Sequence, residues 1–181
     1  NSNQPKISSN GRYVLTYNGE IYNCNLLIQI LNSHNIYISK KNSDTEILLN
    51  YLSFFGIEKT LNDIEGMFAF AFYDSNKKLL HLARDPFGEK PLYVGYEDST
   101  ILFSSEMIGV ENLIFNKKEF DERNVELFLK LGFTPAPHTI LKDIYKIEPG
   151  HYLTFSSEFN IGSLEIKDAF LNKKNNKKIF Y

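Results

Sequence analysis

The chain has no tryptophan and a single cysteine, Cys24, among its 181 residues. One cysteine excludes an internal disulfide and fits a reducing, cytoplasmic compartment. No apolar run is long enough to cross a bilayer, so no membrane partner is expected. The opening residues Asn1 to Lys6 carry neither a starting methionine nor a signal-peptide pattern, and read as the interior of a longer protein. Net charge is −2, which implies no general attraction to nucleic acid or to an anionic surface. The histidines (34, 81, 138 and 151) are widely spaced, with no cysteine or carboxylate at ligand spacing, so no metal site is expected. There is no internal repeat.

Phenylalanine (15) and tyrosine (11) are plentiful, and hydrophobic residues make up 43%. That suffices for one domain with an aromatic core. Residues 12–18 alternate and are rich in β-branched and aromatic side chains, which predicts a strand. A helix is expected near 23–33, with apolar residues at 27, 30 and 31. Ile36 to Ile38 is a short strand candidate. Ser43 and Glu46 form a capping box that starts a helix, and Gly56 ends it. A shorter helix over 57–64 follows. Residues 66–73 are the clearest strand, with Phe68, Phe70 and Phe72 on one face and Met67, Ala69 and Ala71 on the other. Both faces are apolar, which predicts a central strand covered on each side. Asp74 to Lys78 is a hairpin turn leading back through Leu79 to Ala83. Further strands are expected at 92–96, 101–105, 144–147 and 151–155, with helical pieces at 106–110 and 121–131. The strands from 67 to 105 are joined too tightly for crossover helices, so the pattern favours an α+β layered fold. Residues 156–181 lose the pattern and read as a solvated basic tail or linker.

Within this pattern, Asn18-Gly19-Glu20 stands at the end of the first long strand. Asn-Gly is first of all a turn signal. It also offers a side-chain amide, an unobstructed backbone N–H and a carboxylate, and an amide beside an N–H can form an oxyanion hole. Asp44 suits the first turn of its helix without being needed there. Arg84 and Asp85 read as an internal ion pair that orders a loop.

The motifs then occur in a telling order. Asn-Gly-Glu-Ile-Tyr-Asn (18–23) is followed by Ser-Asp-Thr-Glu (43–46) and Gly-Met-Phe-Ala-Phe-Ala (66–71). Next come Ala-Arg-Asp-Pro-Phe-Gly-Glu-Lys-Pro-Leu-Tyr (83–93) and Phe-Ser-Ser-Glu-Met (103–107). Pro-Ala-Pro (135–137) and Pro-Gly-His-Tyr-Leu (149–153) complete the series. The run from about Gln4 to Phe155 resembles the glutaminase domain of glutamine-hydrolysing asparagine synthetases, a class II glutamine amidotransferase. The resemblance implies a four-layer αββα sandwich of the N-terminal-nucleophile hydrolase type, incomplete at its start. It implies an amidotransferase domain over residues 1–155, and a linker over 156–181 towards an absent synthetase domain.

In that family an N-terminal cysteine attacks the amide of glutamine, with its own α-amino group as base. The resemblance makes Asn18 and Gly19 the oxyanion hole. It makes Glu20 and Asp44 the carboxylates that hold the α-ammonium of glutamine. The domain itself needs no cofactor; ATP and magnesium are implied for the synthetase part, and homodimerisation is a further expectation. Two family features are missing: the nucleophilic cysteine and the upstream arginine that binds the substrate carboxylate. Cys24 cannot replace the nucleophile, since it has no free α-amino group. The chain alone is therefore expected to be inactive. Two other outcomes stay open at this point: an amidotransferase for a sugar-acid or polysaccharide acceptor, and a non-catalytic remnant or binding module, as in β-lactam synthetases.

Overall fold

A computed structural model describes residues 3–39, 42–97, 100–115, 118–156 and 176–178. The elements run β1 (Lys6–Ile7), β2 (Tyr13–Ile21), α1 (Cys24–Ser33), α2 (Asp44–Asp63), β3 (Gly66–Asp74), β4 (Leu79–Arg84) and β5 (Tyr93–Glu97). They continue with β6 (Thr100–Ser104), α3 (Met107–Glu111), α4 (Glu122–Leu131), β7 (Tyr145–Lys146), β8 (His151–Ser156) and β9 (Asn176–Lys178). One sheet has the order β1-β2-β3-β4-β8-β9 and the other β6-β5-β7. Neighbouring strands are antiparallel throughout.

The strand β3 shows why the layers stack as they do. Phe68, Phe70 and Phe72 are buried with Leu27, Leu31, Leu48 and Leu52 of α1 and α2. Ala69 and Ala71 point the other way, into a second cluster with Leu92, Val94, Tyr145 and Ile147 of the smaller sheet and its flanks. Large rings fill the gap to the helices, while small side chains let the two sheets close on each other. On the outer side of the smaller sheet, Val110 of α3 packs with Leu141 and Ile144. The order is thus helices, sheet, sheet, helix, the αββα sandwich.

Local signals act as the sequence suggests. The Ser43 hydroxyl accepts the Glu46 N–H at 3.3 Å and starts α2. Gly56 breaks its regular path with φ 78° and ψ 178°, so α2 is two helices in succession. The α4 helix begins at Asp121, whose carboxylate accepts the Asn124 N–H at 3.1 Å. The expected strand at Ile36 to Ile38 does not form. Among the described residues it pairs with no strand; Ile36 and Ile38 pack on the core as single anchors, and Tyr37 is 83% exposed. Within the expected tail, β9 pairs with β8. The lysines at 173 and 174 lie outside the described residues.

The β3–β4 hairpin is pinned by Asp74. Its buried carboxylate accepts two Arg12 hydrogen bonds, at 2.8 and 2.7 Å, and the N–H groups of Asn76 and Lys77. The Arg12 guanidinium holds this carboxyl at about 2, below its ordinary 3.8. A depressed folded value means stability that is present above about pH 4 and lost as pH falls towards 2. Asp74→Asn is expected to cost about 2 kcal/mol at pH 6 and almost nothing at pH 2, read from unfolding midpoints. An equal cost at both pH values would show that charge plays no part.

Candidate active site

Asn18 and Gly19 are not in a turn. β2 continues through both to Ile21, paired as Asn18↔Ala69, Gly19↔Phe68, Glu20↔Met67 and Ile21↔Gly66. Two glycines keep the ladder intact here. A β-carbon on Gly19 would collide with the Met67 carbonyl oxygen, and one on Gly66 with that of Glu20. The strands approach too closely for any other residue at these two positions.

The edge of β2 explains what Gly19 offers. β1 covers only Val14 and Leu15. Beyond it, the side-chain amide of Gln4 takes the place of a peptide. It accepts the Tyr17 N–H at 2.6 Å and donates to the Tyr17 carbonyl at 2.7 Å. Backbone groups of residues i and i+2 point to the same edge of a strand. The Gly19 N–H therefore points to that outer edge, past the point where β1 and Gln4 stop.

Side chains alternate across β2. Tyr17 turns to the helix layer and is 7% exposed, and its hydroxyl donates to Asp44 Oδ2 at 3.0 Å. Asp44 opens α2 and is half-buried; its Oδ1 accepts the Thr45 N–H at 2.8 Å. Asn18 turns to the other sheet, where its Nδ2 donates to Ser105 Oγ at 3.2 Å. A cavity of about 250 Å³ lies there, lined by Thr16, Asn18, Ala71, Phe103 and Ser105.

Glu20 is exposed, yet its charge and that of Asp44 act on the same neighbours. Burial pushes the Tyr17 hydroxyl far up, with Asp44 and then Glu20 adding to it. Burial also raises the Cys24 thiol, with help from Asp44 and Glu20. Cys24 donates its S–H back to the Ile21 carbonyl at 3.1 Å. A half-buried thiol beside two carboxylates is held in its protonated form, the wrong state for a nucleophile. Asp44, Glu20, Tyr17 and Cys24 thus share one electrostatic neighbourhood. Tyr17 and Asp44 lie on the helix side of β2, while Asn18 and Glu20, two residues apart, share its opposite face.

The pairing expected of Arg84 and Asp85 is corrected by their geometry. Arg84 donates to three carbonyls, those of Lys90, Ile147 and Gly88, at 2.7–2.8 Å. Asp85 is fully buried and accepts three N–H groups, those of Phe87, Glu89 and Lys90, at 3.0–3.1 Å. Each side chain spends its hydrogen bonds on backbone around the 85–91 loop, while the Asp85 charge opposes the effect of burial on the Arg84 guanidinium. Sequence reasoning gave no role to Gln4 or Tyr17. Ser105 lay inside the Phe-Ser-Ser-Glu-Met motif, with nothing to link it to Asn18. Among the described residues, no group of three or more histidine, cysteine or acidic side chains could hold a metal ion. No helix among them is long and apolar enough to cross a membrane.

A family model described as a glutamine amidotransferase domain matches residues 1–163. The chain belongs to this family. The amidotransferase domain is 34% identical over 144 residues to a putative glutamine-hydrolysing asparagine synthetase 2 of Methanocaldococcus jannaschii, covering 78% of the chain and 27% of that protein. It is 33% identical over 161 residues to glutamine-hydrolysing asparagine synthetase 1 of Bacillus subtilis, covering 89% and 25%. The chain thus spans about a quarter of these relatives' length. Among solved structures, the glutamine phosphoribosylpyrophosphate amidotransferase of B. subtilis aligns with a TM-score of 0.56 at 23% identity. That alignment covers 86% of the chain and 30% of the other protein. It supports the fold, a layered αββα sandwich, and nothing finer.

Proposed function

We propose that this domain releases ammonia from the side-chain amide of glutamine, leaving glutamate, and that the ammonia serves asparagine synthesis from aspartate and ATP. The observation that carries the reading is the Gly19 N–H directed to the edge of β2 beyond Gln4, with Asn18 and Glu20 flanking it on one face of the strand and Asp44 held by Tyr17 on the other. Attack on the glutamine amide places negative charge on its oxygen. The Gly19 N–H and the second Nδ2 hydrogen of Asn18, the first being held by Ser105, are donors suited to that charge. Glu20 and Asp44 supply negative charge for the α-ammonium from the two faces of β2, which fixes the substrate before chemistry.

The nucleophile that the reading requires is not among these 181 residues. The chain on its own is expected to release no ammonia. Activation of aspartate, with ATP and magnesium, belongs in this reading to the part of the longer relatives that the chain does not span. The acceptor, aspartate, is the finest point of the proposal and follows from the relatives' names.

Ammonia release from glutamine is the test, measured on the full-length protein. Asn18→Ala is expected to lower kcat by about 10²–10³-fold with the fold retained. An Asn18→Ala protein with parental kcat would remove Asn18 from the oxyanion hole. Ammonia production by the 181-residue chain carrying Cys24→Ala would refute the placement of the nucleophile elsewhere.

A further inference from the structure

Tyr17 is buried among apolar side chains of the helix layer, yet it ends on a carboxylate. A tyrosine that only filled this space would need no such partner, and a phenylalanine would fill it as well. We propose that Tyr17 is a positioning residue, which holds Asp44 in the orientation that receives the α-ammonium of glutamine. The inference rests on the reading of Asp44 as a glutamine ligand.

The geometry fixes the carboxylate at both oxygens. Oδ2 takes the Tyr17 hydroxyl at 3.0 Å, and Oδ1 takes the Thr45 N–H at 2.8 Å. The Thr45 hydroxyl reaches Oδ1 as well, at 3.5 Å, so donors on both oxygens set the plane of the group, and Oδ2, with the Tyr17 hydroxyl as its donor here, keeps a lone pair for an incoming N–H. None of these donors carries charge, so the full negative charge stays available to the substrate. The ring itself has little freedom. Its backbone is clamped on both sides, by Gln4 through N–H and carbonyl and by β3 through the Tyr17↔Phe70 register. Gln4 thereby acts on Asp44 at one remove. The hydroxyl stays a donor at any working pH, because burial and the adjacent carboxylates oppose its ionisation. Asp44 lies in the first turn of α2, where without this brace only the neighbouring Thr45 would hold the carboxylate.

The experiment uses the full-length protein with Tyr17→Phe, Asp44→Asn and the double variant. Two substrates are compared: glutamine, and glutaramate, which has the same amide and carboxylate but no α-amino group. Tyr17→Phe is expected to raise KM for glutamine about fivefold to tenfold while kcat changes less than about twofold. KM for glutaramate should not move, and the double variant should be no worse than Asp44→Asn. If Asp44→Asn raises KM for glutamine and Tyr17→Phe does not, Asp44 stays a ligand and the positioning role is overturned. The positioning role also falls if Tyr17→Phe affects both substrates equally, since that marks a packing defect. If Asp44→Asn leaves KM for glutamine unchanged, the reading of Asp44 falls and the proposal falls with it.

Discussion

Gly19→Ala is expected to destabilise the domain by about 3 kcal/mol and to abolish ammonia release by the full-length protein. The added methyl carbon would overlap the Met67 carbonyl oxygen and press on the Phe68 α-carbon. Both belong to the backbone of β3, so no side-chain rotation relieves the overlap. β3 is the central strand, with phenylalanines packed on α1 and α2 and alanines on the second sheet, so it has little room to retreat. Either β2 shifts, which carries Asn18 and Glu20 off their positions, or the pair opens at that end. Gly66→Ala makes the mirror-image collision with the Glu20 carbonyl and should destabilise to a similar degree. Asn18→Ala, by contrast, should leave the unfolding midpoint within about 0.5 kcal/mol of the parent, since Asn18 is exposed. Urea unfolding of the three variants separates the cases. A Gly19→Ala protein as stable as the parent would mean that the strands have slack at this point, and that the glycine is not dictated by space.

Asp85→Ala should be of similar size, about 3 kcal/mol, for a different reason. It leaves the N–H groups of Phe87, Glu89 and Lys90 without the fully buried acceptor that they share. Unsatisfied buried donors cost about 1–3 kcal/mol each, and relaxation of the loop towards water recovers part of that. Asp85→Asn keeps one oxygen and should fall between the alanine variant and the parent. Arg84→Lys tests the other half of the loop. A single ammonium cannot reach the carbonyls of Gly88, Lys90 and Ile147 together, so this change should cost more than its conservative appearance suggests. Hydrogen exchange at the three amides gives a local readout beside the unfolding midpoint. An Asp85→Ala protein with both unchanged would show that the loop is held by its ends alone.

What the sequence made legible was whatever one segment decides for itself. The phenylalanine and alanine faces of β3 announce two coverings, and both are found. Ser43 with Glu46 marks a helix start, and Gly56 marks its break, because capping and backbone freedom are local. The errors lie where a distant segment has the last word. Asn18-Gly19 is a turn by local preference, but Gly66 on the facing strand makes it a place of close approach. Ile36 to Ile38 has strand composition but pairs with no strand among the described residues. Arg84 and Asp85 attract each other on paper, yet each finds three backbone partners that a sequence does not display. Of the site, the residue types at 18, 19, 20 and 44 were readable. The Tyr17 brace on Asp44 and the Ser105 hold on Asn18 depend on contacts between elements, and no single stretch encodes them.

The side chain of Gln4, lying where a peptide would otherwise run, has a consequence for traffic at the rim of the larger sheet. An uncovered strand invites pairing with any passing chain. Here a two-residue strand and then one glutamine amide guard the rim as far as Tyr17. Beyond Tyr17 the rim passes on to Gly19, whose N–H points the same way.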